Sequence, residues 1–79
     1  MRVRFFAGAA DAAGREEAVF DGERSLGALR TDLTATYGPE FATVLERCSL
    51  MVDGVRGASD DVVVTDAATV DVLPPFAGG

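Results

Sequence analysis

The sequence predicts an α+β fold: a mixed sheet of about four or five strands with one main helix packed on one face. Three observations predict it. Polar–apolar alternation opens the chain at Arg2-Val3-Arg4-Phe5 and returns at Thr69-Val70-Asp71-Val72-Leu73. Between them, Leu26, Leu29, Leu33 and Tyr37 recur at helical spacing. The first and last strands are both strongly apolar. Pairing them in parallel at the sheet centre buries Val3, Phe5, Val70 and Val72 under the helix.

Each element follows from its residues. In the first strand, Val3 and Phe5 share one face, while Arg4 and Phe6 share the other. Phe6 is thus an aromatic facing away from the expected core. Residues 8–14 lie between Gly8 and Gly14, and these glycines favour a connector over a short helix. Glu17-Ala18-Val19-Phe20 reads as a second strand, ended by Asp21-Gly22. Ser25 suits the N-cap of the main helix, over 25–37, because its hydroxyl accepts from an exposed N–H of the first turn. Gly38-Pro39 stops that helix. Residues 40–47 form a short second helix with Phe41, Val44 and Leu45 inward. Ser49-Leu50-Met51-Val52 is a third strand, and Asp53-Gly54 is the dipeptide favoured in a type I′ hairpin to Val55-Arg56. Residues 62–65 are β-branched but short, an irregular edge segment. Pro74-Pro75 ends all ladder pairing, since proline has no N–H.

Composition restricts the function. At 79 residues and 48% hydrophobic, the chain makes a single domain, 1–79, with a flexible C-terminal tail over 74–79. There is no histidine, and Cys48 is the single cysteine. The commonest general base and any cysteine-based metal cluster are therefore missing. Net charge is −6, and the seven basic residues are all arginine. No basic cluster is present, so nucleic acid is not expected as a partner. No apolar run approaches the roughly 20 residues that span a bilayer. A cytoplasmic protein is expected, with no bound cofactor and no metal. Asp60-Asp61 reads as a solvated turn, and Cys48 as a small core or strand-entry residue.

The chain closes on Leu73-Pro74-Pro75-Phe76-Ala77-Gly78-Gly79. Two glycines leave the end without side chains next to a backbone carboxylate. Such an end threads a narrow channel and presents the carboxylate to an enzyme. The plain alternative is an ordinary unselected chain end. Fully extended, the six residues from Pro74 reach roughly 20 Å, and Pro74-Pro75 stiffens the base as polyproline II. Phe76 either anchors in a partner's groove or folds back on the domain.

With its Phe5-Phe6-Ala7 start, its Leu26–Tyr37 helix, its Asp53-Gly54 hairpin and its closing Pro-Pro-x-x-Gly-Gly, the chain resembles the MoaD/ThiS sulfur-carrier family. The family's fold is the ubiquitin-like β-grasp, and the likeness runs the full length. The Phe-Phe-Ala start tilts it towards the molybdopterin branch. The resemblance implies that an E1-like adenylyltransferase/sulfurtransferase (MoeB-like) uses ATP to adenylate the Gly79 carboxylate. A sulfur donor then replaces AMP and leaves a thiocarboxylate. The tail residues Pro75, Phe76, Ala77 and Gly78 carry that group into the large subunit of molybdopterin synthase (MoaE-like), which passes the sulfur to a pterin precursor in molybdenum cofactor biosynthesis. None of this asks for a catalytic side chain on the carrier. The same tail would serve sulfur delivery to thiamin thiazole or to cysteine. A β-grasp interaction module with an incidental glycine end is the reading outside the carrier class. Phe6 and Leu73, on neighbouring strands and facing away from the helix, form an apolar patch expected to meet the partner subunit.

Overall fold

A computed structural model describes residues 1–75. Ten elements follow one another: β1 (Arg2–Phe5), α1 (Gly8–Ala13), β2 (Glu17–Val19), β3 (Arg24–Ser25), α2 (Leu26–Tyr37), α3 (Pro39–Leu45), β4 (Ser49–Val52), β5 (Val55–Arg56), β6 (Val63–Val64) and β7 (Thr69–Leu73). Five strands form one mixed sheet in the order β2-β1-β7-β4-β5, and β3 pairs with β6 separately. The centre is the parallel pair β1–β7, in register Val3 with Val70 and Phe5 with Val72. This is the β-grasp arrangement that the sequence predicts.

One face of the sheet is covered. Val3, Phe5, Leu50, Val70 and Val72 point from it into the core. They meet Leu26, Leu29 and Leu33 of α2 and Phe41 and Leu45 of α3, all buried. Phe5, Tyr37 and Phe41 pack as an aromatic trio with ring centroids 5.2 to 5.6 Å apart. Edge-to-face contacts like those of Phe5 add to simple area burial. Ser25 caps α2, its Oγ accepting from the Ala28 N–H at 3.1 Å. Gly38, at φ 92°, breaks the chain between α2 and α3, and Pro39 starts α3 where no N–H is needed.

Two expectations are corrected, and one short strand is added. Residues 8–13 are a helix, not a connector. Four alanines supply strong helix propensity, and Ala9 is buried in the core. Gly14 is the helix's left-handed cap at φ 74°, its N–H donating to Ala10 O. Next, β3 is an element that periodicity does not announce, because two residues have no period. It converts the irregular segment at 62–65 into a paired strand, β6, which buries Val64. The sheet therefore comes with three helices among the described residues, of which α2 is the main one. The β4–β5 hairpin forms as expected. Asp53 and Gly54 both take positive φ, 49° and 80°, as a type I′ turn requires. Asp53 also binds β7, since its N–H donates to Thr69 O and its Oδ1 accepts from the Thr69 N–H.

Candidate functional site: the open sheet face and the tail exit

The helices cover one face of the sheet, and strand alternation puts every second residue on the other. On that open face the registers build rows across the strands. One row runs Glu17, Arg4, Asp71, Met51, Arg56. A second aligns Val19, Arg2 and Thr69. At the far end, Leu73 of β7 sits opposite Ser49. Phe6 continues β1 by one residue, its N–H donating to Val72 O at 3.2 Å. The parallel pairing of β1 and β7 thus brings Phe6 and Leu73 side by side at the same end of the sheet. Phe6 is 39% exposed, and Leu73 is half-buried.

That end is also where the tail departs. Pro74, half-buried, and Pro75, exposed, follow Leu73 directly and carry the chain off the sheet beside Phe6. The expected tail residues Phe76, Ala77, Gly78 and Gly79 lie outside the described residues. On the other side of Phe6 is an open hollow of about 530 Å³, bordered by Arg2, Arg4, Ala10 and Glu17.

Charges on this face are mostly matched in pairs. Arg4 donates twice to the Asp71 carboxylate, from Nε to Oδ1 at 2.6 Å and from Nη2 to Oδ2 at 2.8 Å. This hydrogen bonding, with the attraction of the same carboxylate, raises the Arg4 pKa above its ordinary value. The guanidinium carbon also lies 5.6 Å from the Phe6 ring centroid, within cation–π range. Arg2 pairs with Glu17 at 2.7 Å. These pairs were missed in the residue pattern, yet a signal was present. Alternation puts Arg4 beside Phe6 and Asp71 beside Leu73, and the parallel register then brings the two charges opposite one another.

The chain reverses sharply after Phe6. Ala7 takes φ 48° and ψ −125°, and the Ala9 N–H closes the turn on Phe6 O at 3.0 Å. A non-glycine residue there is a local strain that the surrounding packing has to hold. Alanine gives no warning of it in the sequence.

Cys48 stays apart from this face. It is buried, its thiol donates to Val44 O at 3.2 Å, and burial pushes its pKa up more than Arg30 lowers it. A thiol in such a setting is a packing group. Asp60 is engaged by Arg30 at 3.1 Å. Among the described residues no helix is long and apolar enough to cross a membrane.

The comparison with protein families agrees with this geometry: residues 3–79 match the model of the ThiS family. The chain belongs to the ThiS family. No curated protein sequence matches it significantly. Among solved structures, it is similar to small archaeal modifier protein 1 from Haloferax volcanii, with TM-score 0.79 and 20% identity over 100% of this chain and 98% of that one. The same protein from Methanosarcina acetivorans gives TM-score 0.79 and 20% identity over 99% and 94%. A chain in the protein–protein complex of subunits 1 and 2 of molybdopterin-converting factor from Helicobacter pylori gives TM-score 0.74 and 22% identity over 99% and 96%. At these identities the likeness establishes the fold. The family, with its β-grasp fold, is that of the sulfur carriers to which the sequence resemblance points.

Proposed function

We propose that the chain is a cytoplasmic sulfur carrier that acts as the small subunit of molybdopterin synthase. In this reading the Gly79 carboxylate attacks the α-phosphate of ATP on an E1-like activating enzyme and expels pyrophosphate. The acyl-adenylate makes AMP a good leaving group where a free carboxylate offers none. A sulfur nucleophile displaces AMP and leaves a thiocarboxylate, which is ionised near neutral pH and nucleophilic. The tail then delivers that sulfur to a pterin precursor in the large subunit, and the carboxylate is recharged. The carrier supplies the reacting terminus and the docking surface. The enzymes it visits supply the acid–base groups.

The observation that carries this reading is the exit of the tail beside Phe6 and Leu73. A partner that takes the tail into its active site has to cover those two residues. The fold likeness to a chain from a complex of subunits 1 and 2 of molybdopterin-converting factor supports a partner of that kind. A second reading, delivery to thiazole synthesis, is favoured by the family match itself. It uses the same terminus with another acceptor.

Replacing Phe6 or Leu73 with glutamate tests the proposal. Each variant is expected to weaken binding to the large synthase subunit by about 2 kcal/mol or more, roughly thirtyfold. The melting temperature of Phe6→Glu should change little, because that ring faces outward. Titration calorimetry with the wild-type domain as reference reads the result. Wild-type affinity in both variants would place the interface elsewhere.

A further inference from the structure

Charge is divided unevenly over this molecule. The chain holds 13 acids and seven arginines. The paired strands place Arg2, Arg4 and Arg56 on the open face, with only Glu17 and Asp71 to match them. With Glu16 beside Arg2 and Arg4 at its border, the described part of that face is close to neutral, so the net charge of −6 lies on the rest of the chain. Arg2 and Arg4 are neutralised in place by Glu17 and Asp71. Arg56 is exposed on β5 and makes no ion pair among the described residues.

The size of the face decides whether Arg56 matters. Five strands of two to five residues, about 4.8 Å apart, give a face about 19 Å across and about 17 Å long only at β7. A stable complex buries about 800 Å² on each partner. A partner that takes only the Phe6–Leu73 end would fall well short. A footprint of that size centred on Phe6 and Leu73 is larger than the sheet face and reaches β5. Covering the internally paired Arg4 and Asp71 adds no unpaired charge. Covering Arg56 without a counter-charge strips water from a lone guanidinium, which is costly.

We infer that the open face selects a partner surface with two features: an apolar groove for Phe6 and Leu73, and a carboxylate for Arg56. Two strands across and two residues along separate Leu73 from Arg56, about 12 Å between backbones. The occupant is the large synthase subunit, so the inference rests on the function proposed above. The carboxylate gives orientation as well as affinity. The anionic remainder of the carrier repels an acidic surface, so approach with the open face forward is the least opposed.

The test uses two variants that change net charge equally at different places. Arg56→Gln removes one positive charge from the open face. Thr31→Glu adds one negative charge on the exposed side of α2, where Thr31 faces solvent. Calorimetric titration into the purified large subunit, at low and at high salt, measures both beside the wild type. Arg56→Gln should lose about three- to tenfold in affinity at low salt, and Arg56→Glu more, with both losses shrinking as salt screens the pair. Thr31→Glu should stay within about twofold of the wild type. Arg56 variants that bind like the wild type overturn the inference and leave the carrier reading standing, as do equal losses in Arg56→Gln and Thr31→Glu. Failure of the wild type itself to bind the large subunit overturns the proposed function, and the inference with it.

Discussion

Deleting Gly79 is expected to abolish adenylation while leaving thermal stability nearly unchanged. The reason is geometric. Each residue spans about 3.3–3.6 Å of extended chain, so the shortened terminus stops that far from the α-phosphate. Misplacing reacting atoms by even 1 Å can cost on the order of a hundredfold in rate. Adding one residue after Gly79 should fail in the same way. Stability should hold because, among the described residues, Val72 is the last one buried in the core. ATP–pyrophosphate exchange with the cognate activating enzyme reads activity, and circular dichroism melting is the control. A deleted chain adenylated at the wild-type rate would leave the interaction-module reading in place of the carrier.

Leu29→Ala is expected to have the largest effect on folding, a loss of about 2–5 kcal/mol. Leu29 lies one turn into α2 (Leu26–Tyr37) and is fully buried. Truncation loses the transfer free energy of its methyl and methylene groups and opens a cavity where helix meets sheet. Native domains have only about 5–15 kcal/mol in total, and chains this short bury proportionately less. Much of the stability is therefore at stake in one side chain. Urea denaturation monitored by circular dichroism measures the change. A loss below about 1 kcal/mol would mean that Leu29 is not central to the core.

The main helix and the central strand pair are legible in the residues because each repeats a period long enough to read. Four apolar residues mark one face of α2, and Ser25 and Gly38-Pro39 mark its ends. Phe6 and Leu73 are legible by the same parity. Once Val3 and Val72 face inward, those two face out. What escapes is what has no period. Six residues of α1 between two glycines look like a loop, although Gly14 is the cap that ends the helix. The two residues of β3 carry no pattern at all. The Arg4–Asp71 pair needs the register as well as the parity, and the register exists only after the strands have met. The backbone of Ala7 is set by the turn around it, and nothing in an alanine side chain encodes a positive φ.

In the proposed function, Gly79 carries sulfur. Intact-mass spectrometry of the wild-type chain, after incubation with its activating enzyme, ATP and a sulfur source, tests it most directly. The expected result is a mass gain equal to one sulfur replacing one oxygen, located to Gly79 by fragmentation and absent without ATP. An unchanged mass, under conditions where the same enzyme charges another carrier, would mean that Gly79 is not a sulfur carrier.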